Sequence, residues 1–155
     1  MIKYSINCES KYWSARIKKI NLLINKSIKL HKDLKFKKNI DYYCNFILVN
    51  DNKIKEINQK YRRVNKATDV LTFISDLKIK KQKHKKFCDI FLSAETIIKD
   101  AEYNNITFYD HLVHLVIHSL LHVNGFVHKK VNDFLKMQIA EIKILKKLQI
   151  NNPYL

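Results

Sequence analysis

The chain of 155 residues contains one glycine, Gly125, which follows an apolar run at residues 112–121. Glycine adopts the left-handed backbone conformation without a steric penalty, and helices commonly end where such a residue stands. Thr107 and Asp110 have the Ser/Thr-x-x-acid spacing of a capping box, which is typical of a helix N-terminus. The sequence therefore predicts a buried helix that begins near residue 108 and reverses direction at Gly125.

Helical and strand periodicities are mixed along the rest of the chain. Apolar residues at helical spacing predict further helices, and runs rich in β-branched and aromatic residues predict strands. Because the two types do not alternate strictly and no Pro/Gly/Ser-rich linker separates them, the sequence predicts a single α+β domain over residues 1–155. We expect a small mixed sheet of about four strands packed with about five helices. Strands are predicted at residues 4–8, 42–49, 69–75 and 87–93, and helices at 14–30, 52–61, 94–103, 108–124 and 133–148.

Several local features of these elements are also predicted. Asp51 and Ser93 are expected to cap the helices that follow them. Residues 78–86, KIKKQKHKK, are expected to form a solvated loop because like charges repel one another, with a dedicated binding element as the alternative. The last helix is expected to bury an apolar face formed by Leu135, Ile139, Ile142 and Leu145.

The chain carries 30 basic and 14 acidic residues, a net charge of +16. Such an excess favours a polyanionic partner, nucleic acid before an acidic membrane. Only three of the basic residues are arginine, so the lysine bias of an A/T-rich genome is an alternative source of part of this charge. No segment approaches the roughly 18 uncharged apolar residues of a membrane span. Three widely spaced cysteines and no secretory signal favour a soluble protein of the reducing cytoplasm.

Two histidines of the predicted buried helix, His118 and His122, lie one above the other on the same face, close enough to bind one metal ion. His114 is eight residues from His122. That separation is about 12 Å along the helix axis, too far for His114 to be a third ligand. His128 follows the turn at Gly125 and can return to the pair. The sequence therefore predicts a metal site formed by His118, His122 and His128 at the end of a buried helix.

Three histidine ligands leave one coordination position open for water, which is typical of catalytic rather than structural zinc. A zinc ion in such a site lowers the pKa of its water to about 7. Cys88 is an alternative fourth ligand that would close the site and make it structural. A single histidine on an apolar face is more often a core residue, which is the interpretation for His111 and His114. For His114, an alternative is a hydrogen bond to one of the ligands.

The spacing H-x3-H-x2-G-x2-H matches the zinc motif of the metzincin peptidases except at Ser119, where those enzymes have a glutamate. That glutamate is their general base, and serine does not accept a proton at neutral pH. Metal binding is therefore expected without peptide hydrolysis.

Two of the three arginines, Arg62 and Arg63, stand side by side before the segment A-T-D-V-L-T-F. A guanidinium binds phosphate in a bidentate manner and stays charged, so one of the pair is a candidate to stabilise a phosphodiester under attack. The alternative is a helix C-terminus whose last-turn cations complement the helix dipole.

Three segments resemble, in the same order, the YbeY family of bacterial rRNA maturation factors: Y-R-x5-T-D-V-L-T-F, C-D-I-F-L-S and H-L-V-I-H-S-L-L-H-V-N-G-F-V-H. The resemblance implies a zinc-dependent, single-strand-specific endoribonuclease that acts in 3′-end maturation of small-subunit (16S) rRNA and in ribosome quality control. It also implies that His118, His122 and His128 bind one Zn²⁺ ion and that Arg62 is the catalytic arginine. The implied partners are rRNA precursors and the small ribosomal subunit or its proteins, without DNA or a membrane.

The chain departs from the family pattern at four positions. Ser119 and Cys88 stand where glycine is usual, Val127 where an aspartate precedes the last histidine, and Ile74 where proline is common. If the missing aspartate orients a ligand, its loss costs about 10- to 100-fold in metal affinity or activity. The alternative function is therefore a non-catalytic assembly factor that binds rRNA or a ribosomal protein and keeps a structural metal, and a peptidase is the third.

Overall fold

A mixed four-stranded sheet lies at the centre of the protein in the computed structural model, which describes residues 1–155. Its strands are β1 (Ile2–Cys8), β2 (Ile40–Val49), β3 (Val70–Leu77) and β4 (His84–Ser93). They stand in the order β1-β2-β4-β3, with β1, β2 and β4 parallel and β3 antiparallel at one edge.

Five α-helices pack with this sheet. None of them has both the length and the apolar composition that a membrane span requires. Four strands and five helices in an irregular order confirm the predicted α+β fold. The helices are α1 (Ile17–Lys29), which follows a 3₁₀ helix at Lys11–Arg16, α2 (Asp51–Arg62), α3 (Ala94–Tyr103), α4 (Phe108–Val123) and α5 (Val131–Lys147).

The two faces of the sheet are covered by different helices. Alternate residues of a strand point to opposite faces. Tyr42 and Phe46 of β2 enter a large core that also contains buried residues of α1, α4 and α5. Ile47 and Val49 of the same strand pack instead with Ile54 of α2 in a smaller cluster. Helix α2 therefore lies on the face opposite α4.

Helix α4 is buried on most of its surface and contacts α1, α3, α5 and β3. The Thr107 side chain accepts a hydrogen bond from the Asp110 N–H at 3.1 Å, which confirms the predicted cap. At the other end, Gly125 has a φ of +92°, and the N–H of Phe126 donates to the Leu121 carbonyl at 3.1 Å. This is a Schellman ending. The helix therefore begins and ends where the sequence predicts.

The predicted buried face of α5 is only partly confirmed. Leu145 is buried and Ile142 is half-buried, but Leu135 and Ile139 are 46% and 66% exposed. The helix instead turns Met137 and Glu141 towards the core. Met137, Glu141 and Leu145 follow one another at intervals of four residues and so share one face. A pattern built on apolar residues alone missed this face because a carboxylate occupies its centre.

Two helix caps also differ from the prediction. Asn50 caps α2, since its side-chain oxygen accepts the Lys53 N–H at 2.9 Å, and Asp51 is already the first helical residue. Ser93 precedes α3, but its hydroxyl donates to the Asp51 carboxylate at 2.7 Å and makes no cap bond. That carboxylate also accepts from the Thr96 hydroxyl at 2.5 Å. Asp51 thus joins the beginnings of α2 and α3 instead of capping one of them.

The lysine-rich run at residues 78–86 is only partly a loop. Strand β4 already begins at His84, and Lys85 pairs with Leu77 across the β3–β4 hairpin. The loop is therefore limited to residues 78–83. Strand pairing satisfies backbone groups, and this outweighs repulsion between lysine side chains that water and salt screen.

Substitution of Gly125 by alanine is expected to lower the free energy of unfolding by about 1 kcal/mol, because a φ of +92° strains a residue with a side chain. An added Cβ would meet no atom within 4 Å, so the loss comes from the backbone conformation and not from crowding. Asparagine tolerates this region better. Equilibrium denaturation should therefore give a smaller loss for Gly125→Asn than for Gly125→Ala, and equal losses would contradict the explanation.

Candidate metal centre

The three predicted ligand histidines lie together at the C-terminal end of α4. The ring centroids of His118 and His122 are 4.6 Å apart, and the His128 ring lies 5.6 Å and 4.8 Å from them. One ligand nitrogen of each ring lies within 4.8 Å of the other two. The reversal at Gly125 directs the chain back along the helix, which is why a residue beyond the helix end reaches the pair.

Hydrogen bonds to acceptors set the orientation of two of these rings. Nδ1 of His118 donates to Oε1 of Glu141 at 2.5 Å, and Nδ1 of His122 donates to the Phe126 carbonyl at 2.8 Å. When both rings are neutral, their protons lie on Nδ1 and both Nε2 atoms carry lone pairs, and these atoms face each other at 3.0 Å. Two facing lone pairs repel each other, whereas one cation accepts both. The donor set therefore fits a metal ion.

The carboxylate that holds His118 comes from the buried face of α5. Glu141 is fully buried, and it also accepts hydrogen bonds from Nε2 of His114 at 3.2 Å and from the Tyr154 hydroxyl. Burial alone would raise the Glu141 pKa, but the bonds from His114, His118 and Tyr154 outweigh it and lower the pKa to about 2. Glu141 is therefore an anion that only accepts hydrogen bonds. His114 contacts this anion and does not join the ligand cluster.

The protonation of His122 also suits a ligand. Burial lowers the pKa of His122, and the neighbouring His118 lowers it further. The ring is therefore neutral at physiological pH, which is the form that binds a metal ion.

The histidines open into a cleft of about 420 Å³ that also contains Arg62. Arg62 is an exposed residue in the last turn of α2, with Nη1 3.5 Å from the Asn58 side-chain oxygen. Arg63 is the C-cap of that helix and does not line the cleft. Only one of the two candidate arginines therefore faces the histidines. The other lining residues are Val70, Leu71, Thr72, Phe73 and Ile74 of β3, with Phe126 and Val127.

Cys88 does not approach the histidines. It is the register partner of Cys44 on the neighbouring strand, and both side chains are buried in the large core. The neighbouring Cys88 raises the pKa of the Cys44 thiol, and Cys44 in turn lowers the pKa of Cys88. The structure therefore does not support a site closed by a cysteine ligand.

The other departures from the family pattern fall in two environments. Ser119 is fully buried and its hydroxyl has no hydrogen-bond partner, so it faces the core and not the cleft. Val127 and Ile74 line the cleft and are partly exposed. The cleft wall therefore has an apolar side chain, Val127, where the family pattern has an aspartate, and Ile74 replaces a proline that is also apolar.

Substitution Glu141→Gln is expected to weaken metal binding by about 10- to 100-fold, as losses of partners that orient ligands do. A glutamine amide does not present two anionic acceptors to His118 and His114, so the Nδ1–H tautomer of His118 is no longer enforced. Competition with a metal-sensitive dye measures the affinity. Glu56→Gln, which changes an exposed glutamate on α2, is the matched control, and a loss of equal size in both variants would contradict this role.

The contribution of Glu141 to stability is expected to depend on pH. Its folded pKa of about 2 lies below its ordinary value of 4.5, so the contribution is fully present above pH 4.5 and disappears as the pH falls towards 2. Metal-free wild type and Glu141→Gln should therefore differ most in the free energy of unfolding above pH 4.5. Denaturation of both proteins over this range measures the difference, which should shrink in acid; a difference independent of pH would count against the assignment.

Comparison with known proteins identifies the family of this chain. The sequence model described as endoribonuclease YbeY matches residues 5–149. The endoribonuclease YbeY of Ehrlichia ruminantium (strain Gardel) is 35% identical over 152 residues, which are 96% of this chain and 93% of that protein. The endoribonuclease YbeY of Bartonella quintana is 30% identical over 155 residues and covers 99% and 98% of the two chains.

A solved structure has a similar fold over nearly the whole chain. The solution structure of a Thermotoga maritima protein matches with a TM-score of 0.57 at 27% identity, over 99% of this chain and 95% of that chain. The family model and the two relatives cover both the central sheet and the histidine cleft. The chain therefore belongs to the YbeY family.

Proposed function

We propose that the protein is a zinc-dependent endoribonuclease that cleaves single-stranded RNA and acts in 3′-end maturation of small-subunit rRNA. The observation that carries this proposal is one cleft that contains both the three histidines and Arg62. A second support is the name endoribonuclease that its relatives bear.

His118, His122 and His128 would hold the zinc ion. Zinc bound there supplies Lewis-acid chemistry, which polarises a phosphoryl oxygen and makes water a stronger nucleophile at neutral pH. The chain contributes ligand orientation to this chemistry. Glu141 and the Phe126 carbonyl hold the Nδ1 protons, so that the Nε2 lone pairs remain available.

Arg62 is the residue that would contact the RNA phosphate. Its guanidinium stays charged and presents a planar fork to phosphate oxygens, so it stabilises negative charge that develops during cleavage. Apart from the histidines, no residue lining the cleft accepts a proton at neutral pH. The chain therefore provides binding and charge stabilisation here but no carboxylate base.

The charge of the protein suits a long anionic strand. Lys129 and Lys130 directly follow His128 and are exposed, so they extend the cationic surface beyond the cleft. The net charge of +16 predicts RNA affinity that falls as salt rises. Cytoplasmic rRNA precursors, bound alone or on the small subunit, are the substrates we propose, and the unpaired cysteines are compatible with that compartment.

A peptidase receives no support, because Ser119 is buried away from the cleft. The position of Cys88 also removes the argument for a structural site with a cysteine ligand.

Purified protein is expected to cleave single-stranded RNA that contains the 3′ region of a small-subunit rRNA precursor. Cleavage should stop with a chelator, return with added zinc and be absent in His118→Ala. Arg62→Ala is expected to lower kcat/KM by roughly 10²- to 10³-fold, the usual cost of losing one donor to a developing negative charge. Gel electrophoresis of end-labelled RNA measures these rates.

Arg63→Ala is the matched control, since Arg63 is adjacent but does not line the cleft. It should retain nearly the wild-type rate. Duplex RNA and single-stranded DNA of the same sequence should remain intact. Cleavage that persists in His118→Ala or with a chelator would contradict the proposal, and RNA binding without any cleavage would favour the non-catalytic assembly factor.

A further inference from the structure

A second group of ligand-type side chains lies outside the histidine cleft. Asp69 directly precedes β3, Asp100 belongs to α3, and His111 lies in the first turns of α4. Nε2 of His111 is 3.9 Å from an Oδ2 atom of each aspartate. One ligand atom of each of the three residues lies within 4.8 Å of the other two. Three separate elements therefore direct potential metal ligands to one point.

The His111 ring is the feature of this cluster that requires an explanation. The residue is only 8% exposed, and its Nε2 atom is inaccessible to solvent and has no hydrogen-bond partner. A separation of 3.9 Å is too long for a hydrogen bond to either carboxylate. A buried nitrogen without a partner is destabilising, and proteins normally provide such an atom with a hydrogen-bond partner, a water molecule or an ion. The unpartnered Nε2 atom of His111 therefore indicates that a group binds at this point.

The two carboxylates are arranged so that each leaves an oxygen free for this point. Oδ1 of Asp69 accepts the Val70 N–H at 2.7 Å and the Thr68 hydroxyl at 3.2 Å, which directs Oδ2 towards His111. The Asp100 side chain is 43% exposed, so the outer side of the cluster borders solvent. Burial raises the pKa of Asp100 and the nearby Asp69 raises it further, as expected for two like charges that share a small space.

We propose that Asp69, Asp100 and His111 form a second divalent-cation site that joins β3, α3 and α4. Two carboxylate oxygens and one imidazole nitrogen suit a cation such as Mn²⁺, with water in the remaining positions. Adjacent ligand atoms about 2.1 Å from one octahedral ion lie roughly 3.0 Å apart. The observed separations are 3.9 Å, so the three side chains would have to close by about 0.9 Å around the ion.

This site is separate from the histidine cleft. His111 and His118 are seven residues apart on α4, a rise of about 10.5 Å. The ions of a two-metal catalytic centre lie only about 3.5–4 Å apart. The second cation therefore stabilises the packing of three elements and does not take part in the reaction at the first. The inference is independent of the proposed endoribonuclease activity.

The test uses the full chain with the first site removed by the double substitution His118→Ala and His122→Ala. Titration with Mn²⁺, followed by its electron paramagnetic resonance signal, should still give one bound equivalent. The melting temperature of this protein should rise with Mn²⁺ concentration, because a ligand that binds only the folded state stabilises it. Adding Asp100→Asn should weaken binding by at least about tenfold and remove the thermal shift.

Two further variants make the result specific. His111→Ala in the same background should also abolish binding, while Asp100→Asn covers the case in which the histidine variant does not fold. Glu102→Gln changes an exposed acid two residues from Asp100 and should leave binding unchanged. Absence of bound Mn²⁺ in the double variant, or binding that Asp100→Asn does not weaken, would overturn the proposal.

Discussion

The buried carboxylate of Glu141 is the interaction on which the geometry of the histidine cleft depends. It accepts hydrogen bonds from two histidines of α4 and from Tyr154 near the C-terminus, so it joins three parts of the chain. An ionised group is stable in a core only when such partners compensate for lost water. Because the bond to His118 fixes the Nδ1 proton, the same interaction that makes burial tolerable also leaves Nε2 free for a metal ion.

The edge position of β3 explains how two faces of the sheet contribute to one cleft. Helix α2 packs on one face and α4 on the other. Because β3 has no strand beyond it, its outer edge is free. The last turn of α2 and the chain after α4 both reach this free edge, from opposite faces of the sheet. Arg62 and the histidines thus meet across β3. Asp69 directly precedes β3, so this edge strand lies next to both proposed cation sites.

Much of the fold could be predicted from local signals in the sequence. The cap at Thr107 and the turn at Gly125 depend on backbone chemistry within a few residues, and both lie where the sequence predicts them. The buried face of α5 could not be read in this way. A search for apolar residues at helical spacing selected Leu135 and Ile139, whereas the structure buries Glu141 because its partners come from other elements. Burial of a charged group is decided by those partners and not by its own hydropathy.

The sequence by itself determined the spacing of His118, His122 and His128 around a single glycine, since a helix followed by a left-handed residue is local geometry. Tertiary structure alone decided which of the neighbouring groups join that site. It brought Arg62 to the cleft and left Arg63 outside, paired Cys88 with Cys44, and placed Glu141 behind the ligands. The reason is that these contacts connect residues far apart in the chain, and their proximity arises only when the sheet and the helices pack together.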